Sequence, residues 1–211
     1  MIENCVFCNR KLDKGDTLYE TDNFFVNSGL GVAAPGHVML ICKYHCDCFA
    51  QMPAAMRAEF KEIKDLVCRK VRQAFGEPFM VEYGVLEQSV PHAHLHFIPK
   101  ERPASEYYPA YRMDNVFSIV GVPAGLGVDA TWELAEIMRQ KFGGYIYLED
   151  GIARLFADFP ENYSSKNLSY RRFFNDKFGL ADIPKAWKEI TKEGIEIDRI
   201  KKEITRNKLR F

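Results

Sequence analysis

The sequence predicts an α+β fold, an antiparallel sheet with a long helix followed by a smaller α+β C-terminal domain with a helical end. Three observations predict it. Short apolar runs of strand length, bounded by turn residues, recur on either side of one stretch with helical spacing from Pro53 to Gly76. A connector from Lys100 to Tyr111, holding Pro103, Pro109 and a run of tyrosines, interrupts the pattern. Beyond it, strand and helix signals start afresh. The expected division is therefore 1–104 and 105–211, with a boundary near residue 105.

In chain order, Thr17 to Val26 reads as strand, turn and strand, with Thr21-Asp22-Asn23 as the turn. A loop rich in glycine runs from Ser28 to Gly36, and His37 to Lys43 is a mostly apolar strand. Pro53 suits a first helical turn, where its missing N–H costs nothing. Phe60, Ile63, Val67, Val71 and Ala74 then keep helical spacing, and Gly76 ends the helix. Phe79 to Leu86 and His92 to Pro99 read as strands. After the connector, Asn115 to Val120 predicts a strand and Thr131 to Phe142 a helix. Tyr145 to Glu149 and Ala153 to Phe159 predict a hairpin turning at Asp150-Gly151. Leu168 to Phe178 and Lys185 to Lys208 predict helices, the second weakened by Gly194.

Composition narrows the function. The 211 residues are 47% hydrophobic and 27% charged, enough to build a core, and the formal net charge is +0. A neutral chain does not bind DNA or RNA avidly without sequence preference, which needs a basic excess. A small anionic ligand needs only a local site. No apolar stretch approaches the ~20 residues of a membrane span, and Met1 to Asn4 carries no leader pattern, so a cytoplasmic protein is expected. In such a reducing compartment the six cysteines point to metal rather than to disulfides.

Three of the five histidines fall in Pro91-His92-Ala93-His94-Leu95-His96-Phe97-Ile98-Pro99. Side chains alternate along a strand, so His92, His94 and His96 are expected on one exposed face and Ala93, Leu95 and Phe97 on the core face. Adjacent imidazoles offer two chemistries. They can hold a metal together. Alternatively one is a nucleophile and its neighbours donate hydrogen bonds to developing negative charge.

The stretch resembles the pattern of the histidine-triad (HIT) superfamily, His-apolar-His-apolar-His followed by two apolar residues. Pro35-Gly36-His37-Val38-Met39-Leu40-Ile41, then Lys43-Tyr44-His45, resembles the same superfamily's loop, strand and following histidine. Gln88-Ser89-Val90 ahead of the triad also fits, and the likeness spans about residues 5 to 100. It implies a HIT-like sheet in 1–104 and a small nucleotide as substrate. It also implies that His94 attacks the α-phosphorus to form a nucleotidyl-histidine that water or another acceptor then resolves. By the same likeness, a main-chain carbonyl at His92 sets the His94 tautomer, and His96 donates to phosphate or leaving group. Gln88 and Ser89 supply neutral donors, and Asn27 stands near the place of a ribose or phosphate contact. His37 reads as structural. Phe7, Phe24 and Phe25 are candidates to wall a base.

Cys5-Val6-Phe7-Cys8 is a CxxC, which alone fits a redox pair, a zinc half-site or coincidence. No strand precedes it, as a thioredoxin-like motif would require. Zinc-bearing members of the superfamily, relatives of galactose-1-phosphate uridylyltransferase among them, resemble this chain. The likeness implies zinc on Cys5, Cys8, His45 and His92. Cys46 or Cys48 stands as an alternative ligand, and Cys42 and Cys68 read as core fillers. Beyond residue 105, Tyr145 to Glu149, Phe159-Pro160 and Tyr170-Arg171-Arg172-Phe173-Phe174 loosely resemble the second domain of CwfJ-type proteins. Two functions follow. One is a nucleotide hydrolase or nucleotidyl transferase, for which the resemblance implies homodimers. The other is a CwfJ-like adaptor that binds nucleotide or RNA at a relic site.

Overall fold

The structure, a computed structural model, describes residues 5–10, 15–29, 31–85, 88–100, 118–121, 128–157 and 192–211. Strands β1 (Thr17–Glu20) and β2 (Phe24–Asn27) form the expected hairpin. Glu59 fastens its turn, accepting from the Thr21 hydroxyl at 2.6 Å and the Asn23 N–H at 3.2 Å. Strand β3 (Val38–Cys42) follows the glycine-rich loop. Two 3-10 turns, Phe49–Gln51 and Ala54–Met56, lead into helix α1 (Arg57–Phe75). Pro53 caps the second of these turns, one turn earlier than the helix proper. Phe60, Ile63, Val67 and Val71 form the buried stripe of α1. Gly76, at φ 95°, ends the helix with its N–H donating to the Arg72 carbonyl.

Strands β4 (Pro78–Gly84), β5 (His94–Pro99), β6 (Ser118–Gly121), β7 (Tyr145–Asp150) and β8 (Ile152–Ala157), with helices α2 (Val128–Phe142) and α3 (Lys192–Lys208), complete the described elements. One antiparallel sheet holds all the strands in the order β1-β2-β3-β5-β4-β7-β8-β6. Its pleat sorts the side chains. Phe24, Val26, Leu40, Leu95 and Phe97 point into the core under α1 and α2, where Trp132 packs against Phe49, Phe60 and Tyr147. Phe25, Met39 and Ile41 point to the opposite face, into a second apolar cluster with Phe7 and Val90.

One expectation is corrected: β5 starts at His94, so His92 precedes the strand. The Ala93 N–H is taken by the Cys46 carbonyl at 2.7 Å, which draws this segment onto the loop after β3. The described strands after the connector join this same sheet. Strand β7 pairs with β4 from Met80↔Glu149 to Gly84↔Tyr145, so the first sheet simply continues. Gly84 is required there, because the Tyr145 ring lies where a Cβ would sit.

The α2 helix and the Asp150-Gly151 hairpin match expectation, and Gly194 is accommodated inside α3. Residues 101–117, the helix expected over Leu168 to Phe178, Phe159-Pro160, Arg171, Arg172 and 185–191 lie outside the described residues. Among the described residues no helix is long and apolar enough to cross a membrane.

Candidate active site and metal centre

Cys5 and Cys8 come from the N-terminal turn, His45 from the bend after β3, and His92 from the segment before β5. One ligand atom from each lies within 4.8 Å of all the others. Cys5 Sγ is 3.3 Å from His92 Nδ1, Cys8 Sγ is 3.2 Å from His45 Nδ1, and the two Nδ1 atoms are 3.2 Å apart. Tetrahedral zinc with bonds of about 2.0–2.3 Å needs ligand separations of about 3.3–3.8 Å, so these spacings fit.

The protonation pattern fits as well. His92 Nε2 donates to the Cys42 carbonyl at 2.6 Å, which leaves a lone pair on Nδ1, aimed at the two sulfurs. Burial holds the His92 pKa below its ordinary value, favouring the neutral ligand form, against a weaker pull from the Cys42 carbonyl. Converging lone pairs of this kind repel one another unless a cation lies between them. Cys46 and Cys48 instead belong to the main core. Burial pushes the Cys48 thiol up to about 12, and the hydrogen bond with Cys42 raises Cys46, so neither is readily a thiolate.

The remaining histidines lie beside this centre. His94 and His96 share the sheet face of the second apolar cluster, in register with Ile41 and Met39 on β3. The face is not open as expected: each of the two is only 5% exposed. Phe7 covers it, with its ring centroid 5.5 Å from that of His92 and 5.2 Å from that of His94. His94 and His96 meet edge to face at 4.9 Å.

Hydrogen bonds fix the tautomers. His94 Nδ1 donates to the His92 carbonyl at 2.6 Å, so the lone pair of neutral His94 is on Nε2. The Ala33 N–H donates to His37 Nδ1 at 2.9 Å, so neutral His37 carries its proton on Nε2. That proton faces His96 Nδ1 at 3.0 Å, which places the proton of neutral His96 on its own Nε2. His37, read from sequence as structural, is thus a direct partner of the triad. The signal was in the inventory: the chain has five histidines, and these two groups use every one.

Gln88 donates from Nε2 to the Asp47 carbonyl at 2.6 Å, closing the loop that bears His45, and Ser89 is exposed. Asn27 is buried, accepts from the Gly29 N–H, and lies in the cross-strand row of Met39 and His96. Phe25 joins Phe7 on this face, with the Arg10 guanidinium 4.2 Å over its ring, whereas Phe24 belongs to the main core.

A family model, HIT domain, matches residues 11–103. No curated protein matches the chain. Among solved structures it is similar to a hypothetical histidine triad nucleotide-binding protein from Sulfolobus tokodaii strain 7, at 17% identity and TM-score 0.43, over 96% of this chain and 93% of that one. It is similar to a HIT family hydrolase from Clostridium thermocellum at 26% identity and TM-score 0.40, over 47% of this chain and 93% of that one. A zinc-bound histidine triad family protein from Mycobacterium smegmatis gives 24% identity and TM-score 0.40, over 47% and 76% respectively.

Proposed function

We propose, from the match of a HIT-domain model to residues 11–103, that the chain is a nucleotide hydrolase or nucleotidyl transferase in which His94 attacks the α-phosphorus. The observation that carries this reading is the 2.6 Å bond from His94 Nδ1 to the His92 carbonyl. It leaves Nε2 with the lone pair a nucleophile needs, and imidazole is neutral near pH 7. As Nε2 bonds to phosphorus, the electron pair of the scissile bond departs with the leaving group. Positive charge then spreads through the ring to Nδ1–H, where the carbonyl stabilises it. In the second step the oxygen of water or another acceptor attacks phosphorus and loses its proton to solvent. The pair of the P–N bond returns to Nε2.

His96 stabilises the charge that develops on the phosphoryl or leaving oxygen by donating from Nε2. Gln88 has a second amide hydrogen for the same purpose, Ser89 adds a hydroxyl, and Asn27 borders the row of His96. Phe7, Phe25 and Ile41 offer an apolar wall to a base.

Zinc is the metal we assign to Cys5, Cys8, His45 and His92, a set of two thiolates and two imidazoles that closes a tetrahedron. Bound there, it supplies structural charge compensation and no open coordination position. The residues themselves fix the segment that presents the His92 carbonyl.

The adaptor reading predicts nucleotide binding without turnover. Purified protein is incubated with adenosine phosphoramidate, dinucleoside polyphosphates and nucleotide sugars, and released mononucleotide is measured. A label trapped on His94 without acid, since imidazole phosphoramidates are acid-labile, supports the enzyme. Binding with no release on any substrate supports the adaptor.

A further inference from the structure

Four hydrogen bonds hold the glycine-rich loop between β2 and β3 from the far end of the chain. The Val32 N–H donates to Asp198 Oδ1 at 2.8 Å, and the Gly36 N–H donates to Thr205 Oγ1 at 2.8 Å. Lys201 Nζ donates to the carbonyls of Val32 and Ala33 at 3.1 and 3.3 Å. All three side chains belong to α3. The helix is itself anchored by charge: Lys202 Nζ is 2.8 Å from Asp16 and 3.3 Å from Asp198, and Arg206 reaches Asp16 at 2.5 Å. Thr205, Asp198 and Lys202 are buried. Burying polar and charged groups is costly, and an apolar face would secure a helix more cheaply. Such contacts give direction instead: they fix where individual backbone groups point.

One backbone group of this loop reaches the site directly. Between Val32 and Gly36, the Ala33 N–H points to His37 Nδ1. Gly36, at φ 86°, lies against Phe75 and Pro99 with no room for a Cβ, so the loop cannot easily find another path. The His37 N–H closes the turn on the Ala34 carbonyl at 3.1 Å.

We propose that α3 is a positioning element for the triad: Thr205 and Asp198 fix the loop so that the Ala33 N–H orients His37, and His37 in turn holds His96 with its proton on Nε2. The role of His96 in this statement rests on the proposed nucleotidyl chemistry, whereas its tautomer does not. Thr205 and Asp198 are positioning residues, since they reach His96 only through the loop and His37. If the Ala33 amide moves, His37 Nδ1 loses its donor and the ring is free to turn. His96 then populates both tautomers, and its donor is absent from Nε2 part of the time.

The test uses the full-length, zinc-loaded protein with Thr205→Val, which removes the acceptor for Gly36 at nearly constant volume, and Thr205→Ser, which keeps it. Long-range proton–nitrogen NMR reads which ring nitrogen of each histidine carries the proton. His96 is expected protonated on Nε2 in the wild type and Thr205→Ser, and as a mixture in Thr205→Val, with His94 unchanged. On any substrate that turns over, kcat should fall about 10- to 100-fold in Thr205→Val with KM within about twofold, and Thr205→Ser should restore it. A lowered melting temperature with the His96 tautomer and kcat unchanged would overturn the proposal. Should Thr205→Val fail to fold, Asp198→Asn gives the same two readings. If no nucleotide turns over, the functional reading fails, while the tautomer still decides this inference.

Discussion

The ring of His92 faces Cys5 Sγ at 3.3 Å while its carbonyl accepts from His94 Nδ1 at 2.6 Å. One residue therefore serves the Cys/His cluster with its side chain and His94, the proposed nucleophile, with its main chain. A shift of His92 in the cluster is a shift of the group that fixes the His94 tautomer.

Metal removal is accordingly expected to act on turnover without touching a reacting atom. The purified protein should hold about one zinc per chain. Chelation, or Cys8→Ser, should lower kcat about 10- to 100-fold, the usual cost of disturbing such outer-shell contacts. It should also lower the melting temperature, because binding energy is folding energy. Metal analysis by mass spectrometry and thermal melts check this. Full activity in metal-free protein would sever the link between cluster and nucleophile.

His94→Asn should reduce turnover about 1000-fold or more, since the carbonyl bond that holds the His94 proton on Nδ1 leaves the nucleophilic lone pair on Nε2. His94 is buried under Phe7. His94→Ala should therefore also cost stability, about 1–3 kcal/mol, by leaving a void. Steady-state rates and urea melts of the two variants separate the chemical loss from the packing loss.

Glu82 is fully buried, and desolvation raises its carboxyl to about 8 despite opposing hydrogen bonds from the Phe49 N–H and the Tyr145 hydroxyl. Its folded pKa lies above the ordinary value of 4.5. The stability this proton contributes is therefore complete below about pH 4.5 and falls as pH rises towards about 8. The slope is at most about 1.4 kcal/mol per pH unit. Glu82→Gln should remove that slope, so the difference between the two proteins' unfolding free energies should change steadily from pH 5 to 8. A difference that does not vary with pH would show that Glu82 titrates normally.

Asp16→Ala leaves Lys202 buried with Asp198 as its remaining anionic partner and Arg206 without its anchor. Breaking a buried charge cluster from one side costs about 3 kcal/mol. Urea unfolding should show this loss. A change below about 0.5 kcal/mol, the size of an exposed pair, would mean that solvent already screens the cluster.

Much of the fold near the site was legible because its signals are local. The 21–23 turn, the helical spacing from Phe60 to Val71 and the Gly76 stop depend on neighbours a few residues apart. Cys5, Cys8, His45 and His92 were legible as a set through family resemblance, and the structure brings them together. What sequence could not show is non-local. Nothing in the alternation of Tyr145 to Glu149 says that this strand pairs with β4, some 65 residues earlier. The pairing of His37 with His96, 59 residues apart, is equally invisible. The burial of the histidine face is not legible because the sequence offers Phe7 as a spacer in CxxC and a candidate base wall, and its packing over His92 and His94 is set by tertiary folding. The contacts of α3 with the loop after β2 span more than 160 residues, beyond any periodicity.

The seam between β4 and β7 has a consequence for association. Residues Met80 to Gly84 spend their outward-facing backbone groups on β7, so a second copy cannot dock there by lengthening the sheet. Any homodimer must meet through other surfaces or at an outer strand. A chain cut after the histidine segment would bare that row of amides and carbonyls beside an apolar strand, a template for uncontrolled polymerisation. Strand β7 is, in this sense, a built-in cover for the strand edge nearest the triad.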